Sequence, residues 1–154
     1  MNYLTCPLLL DEEIKILKTN LSSNKSDWDD GKKTAGSLAS MVKNNLQLNR
    51  NSDTSKTNAK FIVKKLLTNT LIKSFALPKK IHGIMFSKSS KGMKYGRHVD
   101  NAYMSSGRAD LSFSIFLNKK YSYEGGELVV ENINTENKFK LNEGEIIIYP
   151  STYL

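Results

Sequence analysis

The chain has 154 residues, 39% hydrophobic and 25% charged, a composition that excludes collagen-like and wholly disordered chains and sets one domain as the default. Lys and Arg outnumber Asp and Glu by 23 to 15, a net charge of +8, but the lysines fall as singles and pairs without the aromatic and arginine alternation that stacks bases, so they read as solvated faces. One cysteine, Cys6, excludes an internal disulfide and a multi-cysteine zinc site; the apolar runs Leu8 to Leu10 and Ile146 to Ile148 fall far short of the ~20 residues of a membrane helix, so the expectation is a soluble, cytoplasmic protein without membrane or nucleic-acid partners.

In chain order, Tyr3 to Thr5 reads as a short extended segment. Ile14, Leu17 and Leu21 then recur at helical spacing over Asp11 to Leu21, with Asp11 as the expected N-cap and Glu12 and Glu13 in the first turn. Residues 22–36 are polar and rich in Gly, Asp and Ser, a loop with Trp28 as its single aromatic anchor. A second helix is predicted from about Thr54 to Phe75, burying Phe61, Ile62, Leu66 and Ile72, and Pro78 stops it. From Ile81 the texture changes to short β-type runs: Ile81 to Phe86, Leu111 to Leu117, Glu127 to Glu131, Asn137 to Leu141 and Glu145 to Tyr149, broken at Gly92, Gly96, Gly125-Gly126 and Asn142-Glu143-Gly144. Helices first and strands afterwards predict an α+β chain whose second half is a sandwich or barrel.

The stretch with most chemistry is Tyr95-Gly96-Arg97-His98-Val99-Asp100-Asn101. In extended backbone alternate side chains share a face, so His98 and Asp100 point the same way, close enough to hold one ion. Two histidines and a carboxylate on one face of an octahedral ion leave positions open for co-substrate and oxygen, and His-x-Asp supplies two of those three donors.

Around it, in order, stand Trp28-Asp29-Asp30-Gly31-Lys32-Lys33-Thr34-Ala35-Gly36, Val42-Lys43-Asn44-Asn45-Leu46-Gln47, Arg108-Ala109-Asp110-Leu111-Ser112, Tyr123-Glu124-Gly125-Gly126-Glu127-Leu128 and Tyr149-Pro150-Ser151. Together these resemble the PKHD-type hydroxylases, bacterial relatives of the prolyl 4-hydroxylases within the Fe(II)- and 2-oxoglutarate-dependent dioxygenases. The resemblance implies an N-terminal helical region, residues 1–80, and a double-stranded β-helix, or jelly roll, over residues 81–154. It also implies His98 and Asp100 as metal ligands, Fe(II) and 2-oxoglutarate as cofactor and co-substrate, and ascorbate as the agent that rescues oxidised iron. The reaction implied is oxidative decarboxylation of 2-oxoglutarate to succinate and carbon dioxide, coupled to hydroxylation of a peptidyl, amino-acid-like or small-metabolite C–H bond. In the family a third ligand, a histidine, follows the Tyr-Pro-Ser motif, and an arginine beyond it pairs with the distal carboxylate of 2-oxoglutarate. This sequence stops at Leu154, so the expectation is a C-terminally truncated jelly roll without its last core strands, and a possible partner in the missing C-terminal segment. A second departure is Ser87-Lys88-Ser89, where relatives carry an Arg-Tyr pair.

Several residues carry two readings. Tyr95 is either a sheet aromatic or a residue lining the co-substrate pocket. Trp28, Lys43 and Asn44 either contact substrate or belong to an anchored loop. Arg97 and Arg108 attract an anionic group or form plain salt bridges, and His82 reads as structural. For the whole chain, the alternative to an enzyme is a non-catalytic remnant or binding module of the same fold.

Overall fold

The computed structural model describes residues 3–23, 27–104 and 107–154. Strand β1 (Leu4–Pro7) leads into helix α1 (Asp11–Ser23), which buries Ile14 and Leu17. Asp11 is inside the helix and not its cap. The Leu10 N–H donates to Glu13 Oε2 at 2.9 Å, so the carboxylate that closes the first turn reaches back from three residues on.

The segment predicted as a loop over residues 22–36 contains structure. Trp28–Asp30 forms β2, followed by a 3₁₀ turn (Gly31–Thr34), α2 (Ser37–Met41), β3 (Lys43–Asn44) and β4 (Leu46–Leu48). β2 runs antiparallel to β4, with Trp28 opposite Leu48. Strands of two or three residues are too short to display a period of two, which is why periodicity passes over them.

The predicted second helix is two helices, α3 (Asp53–Thr68) and α4 (Thr70–Ala76). Asn69 breaks it: at φ −76°, ψ 117° it leaves the helical region, and its Oδ1 accepts from the Ile72 N–H at 3.0 Å, capping the new helix. Ile62, Leu66 and Ile72 are buried as the stripe requires, and Phe61 is half-buried. Lys65 on α3 reaches Glu13 on α1 at 3.0 Å. Leu77, at φ 42°, closes α4 ahead of Pro78. Among the described residues no helix is long and apolar enough to cross a membrane.

The remaining strands are β5 (Ser87–Lys88), β6 (Lys94–Tyr95), β7 (Tyr103–Met104), β8 (Gly107–Arg108), β9 (Leu111–Ile115), β10 (Leu128–Glu131), β11 (Glu136–Phe139) and β12 (Glu145–Pro150). Residues 81–86 are not a strand; Ile81, Ile84 and Phe86 pack into the core, and pairing begins at Ser87. Three ladders, β1–β12, β3–β6 and β4–β5, join residues on either side of position 80, so the helical region and the strand-rich region share one core.

The sheet that positions the site is β1-β12-β9, antiparallel throughout, with Ile148 opposite Leu4 and Phe113, and Tyr149 opposite Ser112. Directly opposed residues share a face. One face therefore carries Cys6, Phe113, Ile115, Ile146 and Ile148, all packed into the core with α1, α3 and α4. The other carries Ser112, Ser114, Ile147 and Tyr149. Ile146, Ile147 and Ile148 are all buried because β12 lies between two strands and is covered on both sides.

Candidate metal centre

The polar face of this sheet meets the His98–Asp100 segment. Residues 96–100 lie just past β6 and outside any strand, yet the alternation read from the sequence holds: His98 and Asp100 are half-buried while Val99 between them is exposed. His98 Nε2 lies 3.4 Å from Asp100 Oδ1. Asp100 also accepts a hydrogen bond from the Tyr149 hydroxyl, at 3.4 Å to Oδ2, and the Ser112 hydroxyl acts on its charge from the same sheet face.

The other ring nitrogen of His98, Nδ1, lies 2.8 Å from the Gly96 carbonyl oxygen. A carbonyl only accepts, so Nδ1 carries the hydrogen, and in the neutral ring the lone pair is on Nε2. That lone pair faces a carboxylate oxygen. Two electron-rich atoms facing each other are stabilised by a cation between them, either a proton or a metal ion. The donor set, one imidazole nitrogen and one carboxylate oxygen with the histidine oriented through its far nitrogen, suits Fe(II).

The electrostatics agree. The bond to Asp100 raises the His98 pKa above its ordinary 6.5, against the opposing effect of burial and of Lys43. Burial alone pushes the Asp100 carboxyl up, but the bonds from His98, Ser112 and Tyr149 outweigh it and hold the carboxyl below its usual range. Burial first, and the Asp100 charge second, push the Tyr149 hydroxyl far above its ordinary value, so it stays a donor to the carboxylate at any physiological pH.

The family profile described as the 2OG-Fe(II) oxygenase superfamily matches residues 84–154. The PKHD-type hydroxylase of Prochlorococcus marinus strain AS9601 is 69% identical over 154 residues, spanning all of this chain and 70% of the relative. Its counterpart in strain MIT 9301 is 66% identical with the same coverage. The chain belongs to the PKHD-type hydroxylases. A crystallised prolyl-4-hydroxylase from Pseudomonas putida matches with a TM-score of 0.63 over 97% of this chain and 80% of that one, at 12% identity. The shared fold is the jelly roll.

Within this PKHD-type chain, Tyr95 at the end of β6 stacks on His98, ring centroids 3.7 Å apart and planes inclined by 13°. His82 does not join the pair: its Nε2 lies 3.1 Å from the Arg108 carbonyl, and among the described residues no group of three or more His, Cys, Asp or Glu is placed to hold a metal. Arg97 pairs with Glu131 and Arg108 with Asp110, each at 2.5 Å, which is the plain salt-bridge reading for both. Trp28 is an anchor, its indole N–H donating to the Leu21 carbonyl at 3.2 Å. Asn44 is exposed, whereas Lys43 is 2% exposed.

Sequence reasoning gave no role to Tyr149, Ser112 or Ser114. The signal was available in Leu111-Ser112-Phe113-Ser114-Ile115, where strict alternation marks a strand whose second face is polar, and a polar face on a central sheet needs a partner.

Proposed function

We propose that this chain is an Fe(II)- and 2-oxoglutarate-dependent dioxygenase that hydroxylates a C–H bond of a peptidyl, amino-acid-like or small-metabolite substrate. The observation that carries the reading is the His98 Nε2 lone pair turned onto the Asp100 carboxylate, 3.4 Å away. In this reading His98 and Asp100 hold the iron and Tyr95, stacked on His98, lines the co-substrate pocket. When bound, iron with 2-oxoglutarate supplies the oxidising power for hydroxylation, with succinate and carbon dioxide as by-products, and ascorbate keeps the iron reduced.

The chain's own residues act around that chemistry. Gly96 fixes the histidine tautomer through its carbonyl, and the Tyr149 hydroxyl orients the carboxylate. The apolar side of β12 and β9 closes the site from behind. A facial set needs a third donor, and the described residues supply two. Among the described residues two sheets have three strands, β1-β12-β9 at the site and β2-β4-β5, and three sheets have two, an all-antiparallel arrangement that supports a jelly roll. The proposed division keeps the helical region at 1–80 and the jelly-roll domain at 81–154, in a cytoplasmic protein whose partners are small molecules or peptides and not nucleic acid or membrane.

The two-donor set also supports the second reading, a non-catalytic module of the same fold. Succinate release with Fe(II), 2-oxoglutarate, ascorbate and oxygen separates the two. Turnover is expected to be low for the 154-residue chain and to rise when a third donor and a cation for the distal carboxylate are supplied on an appended segment. It should vanish in Asp100→Ala and survive in His82→Ala. Turnover indifferent to Asp100→Ala overturns the dioxygenase reading.

A further inference from the structure

Gly96 joins two contacts at the metal centre that come from different parts of the chain. Its carbonyl accepts from His98 Nδ1 at 2.8 Å, and its own N–H donates to the Val42 carbonyl at 2.7 Å. β3 runs against β6 with Lys43 opposite Tyr95, so the Val42–Gly96 bond carries that ladder one step past its end. His98 therefore hangs from the last rung of a two-stranded ribbon, bonded to Gly96 and stacked on Tyr95.

Space, and not backbone conformation, requires the glycine. Gly96 is not one of the glycines with positive φ, so its φ is one that any residue adopts. A Cβ built on it would lie 2.9 Å from Val42 Cβ and 3.4 Å from the Val42 carbonyl oxygen. Carbon atoms in contact settle at about 3.5–4.0 Å, so one side has to give by about 0.6–1.1 Å.

The softer side is the ligand's. Val42 is held on both flanks: its N–H donates to the Ala39 carbonyl at 3.3 Å, and Lys43 after it is 2% exposed and paired with Tyr95. Residues 96–100 belong to no strand, and none of them is fully buried. A shift of Gly96 passes to His98 through the carbonyl that holds its ring, and a displacement beyond about 0.5 Å is more than a built metal site tolerates.

We propose that Gly96 is a positioning residue of the metal centre: its missing side chain lets the end of β6 close on Val42, and that contact sets where the His98 ring stands. The proposal rests on the metal-centre reading for what the ring binds, and not for where it stands.

Two readouts keep those parts separate. The first needs no metal. The chain has two histidines, so the ring protons of His98 are assigned in the proton NMR spectrum by their loss in His98→Ala, and the Tyr95 ring at 3.7 Å shields them. In Gly96→Ala they should move while those of His82 stay in place. In a Val42→Gly background, where the obstructing Cβ is gone, the same replacement should leave them unmoved relative to that background. A Val42→Ala background keeps the Cβ, and there the movement should return; it also carries the test should Gly96→Ala alone not fold. The second readout is Mn(II) affinity, which should fall about ten- to hundredfold on Gly96→Ala in the native background and less than about threefold in the Val42→Gly background.

A glycine with a structural role alone would lower the urea midpoint and leave the His98 protons where they are. Three results overturn the proposal: His98 protons unmoved in folded Gly96→Ala, the same movement with Val42→Gly as without it, or movement with Mn(II) affinity kept within about threefold where Asp100→Ala abolishes Mn(II) binding. Mn(II) binding indifferent to Asp100→Ala sinks the metal reading instead, and the ring protons still decide what holds His98.

Discussion

Replacing Gly144 by alanine places a Cβ where the chain has no room, at the corner that seats β12 and so the strand that carries Tyr149 to Asp100. Gly144 has φ +85°, where an L side chain costs about 1–2 kcal/mol. The new Cβ would lie 2.7 Å from Ile14 Cδ1 and 2.8 Å from the Leu9 carbonyl oxygen. Ile14 is buried at 4% exposure, and the backbone around Leu9 is tied down because the Leu8 and Leu9 N–H groups both donate to the Gly144 carbonyl, at 2.9 and 3.1 Å. Overpacking against such neighbours costs about 1–3 kcal/mol more. The total, about 2–5 kcal/mol, is a large part of the roughly 5–15 kcal/mol that holds a domain together. Denaturant unfolding of Gly144→Ala measures it. Gly92→Ala is the control, since Gly92 has φ +81° but nothing within 4 Å of the added Cβ, so only the conformational part should appear. A loss at Gly144 no larger than the loss at Gly92 would refute the packing argument.

Tyr149→Phe removes the hydroxyl that donates to Asp100 Oδ2, and Mn(II) affinity measured by titration should fall about tenfold with the fold retained; unchanged affinity would show that the hydroxyl does not orient the carboxylate. Asn69→Ala removes the cap between α3 and α4 and should cost about 1 kcal/mol in urea unfolding, with Asn69→Asp recovering most of it. Glu13 accepts from the Leu10 N–H and from Lys65, which hold its carboxyl below the ordinary 4.5. A depressed pKa contributes stability that is present above the unfolded value and lost as pH falls through the folded one, so Glu13→Gln should cost about 0.5–1 kcal/mol at neutral pH and nothing at a pH below both values. An equal cost at the two pH values, read from urea midpoints, would mean the carboxylate charge is irrelevant.

The long elements were legible because their burial repeats. Ile14 and Leu17, then Ile62 and Leu66, recur at helical spacing and are buried, and Leu111 to Ile115 alternates apolar with polar residues that the register sends to opposite faces, all five being half-buried. The break at Asn69 was not legible from the apolar stripe, because Ile72 continues it; the information is in an asparagine whose side chain serves the next turn better than the helix does. β2, β3 and β4 escaped because each is two or three residues long and exists only through partners, β4 and β5 or β6, that are remote in the chain. At the site, His98 and Asp100 were visible as a spacing and Lys43 as one of two readings, while Tyr149 and Ser112 were not, since what places them there is the register of β12 on β9.

The central claim is that His98 and Asp100 hold a divalent metal ion. Titration of Mn(II) into the metal-free chain, followed by electron paramagnetic resonance, tests it directly. One site is expected, tightening as pH rises through the elevated His98 pKa because metal and proton compete for Nε2. Affinity should fall at least about tenfold in His98→Ala and in Asp100→Ala and stay unchanged in His82→Ala. Equal losses in all three variants, or binding that survives Asp100→Ala, would contradict it.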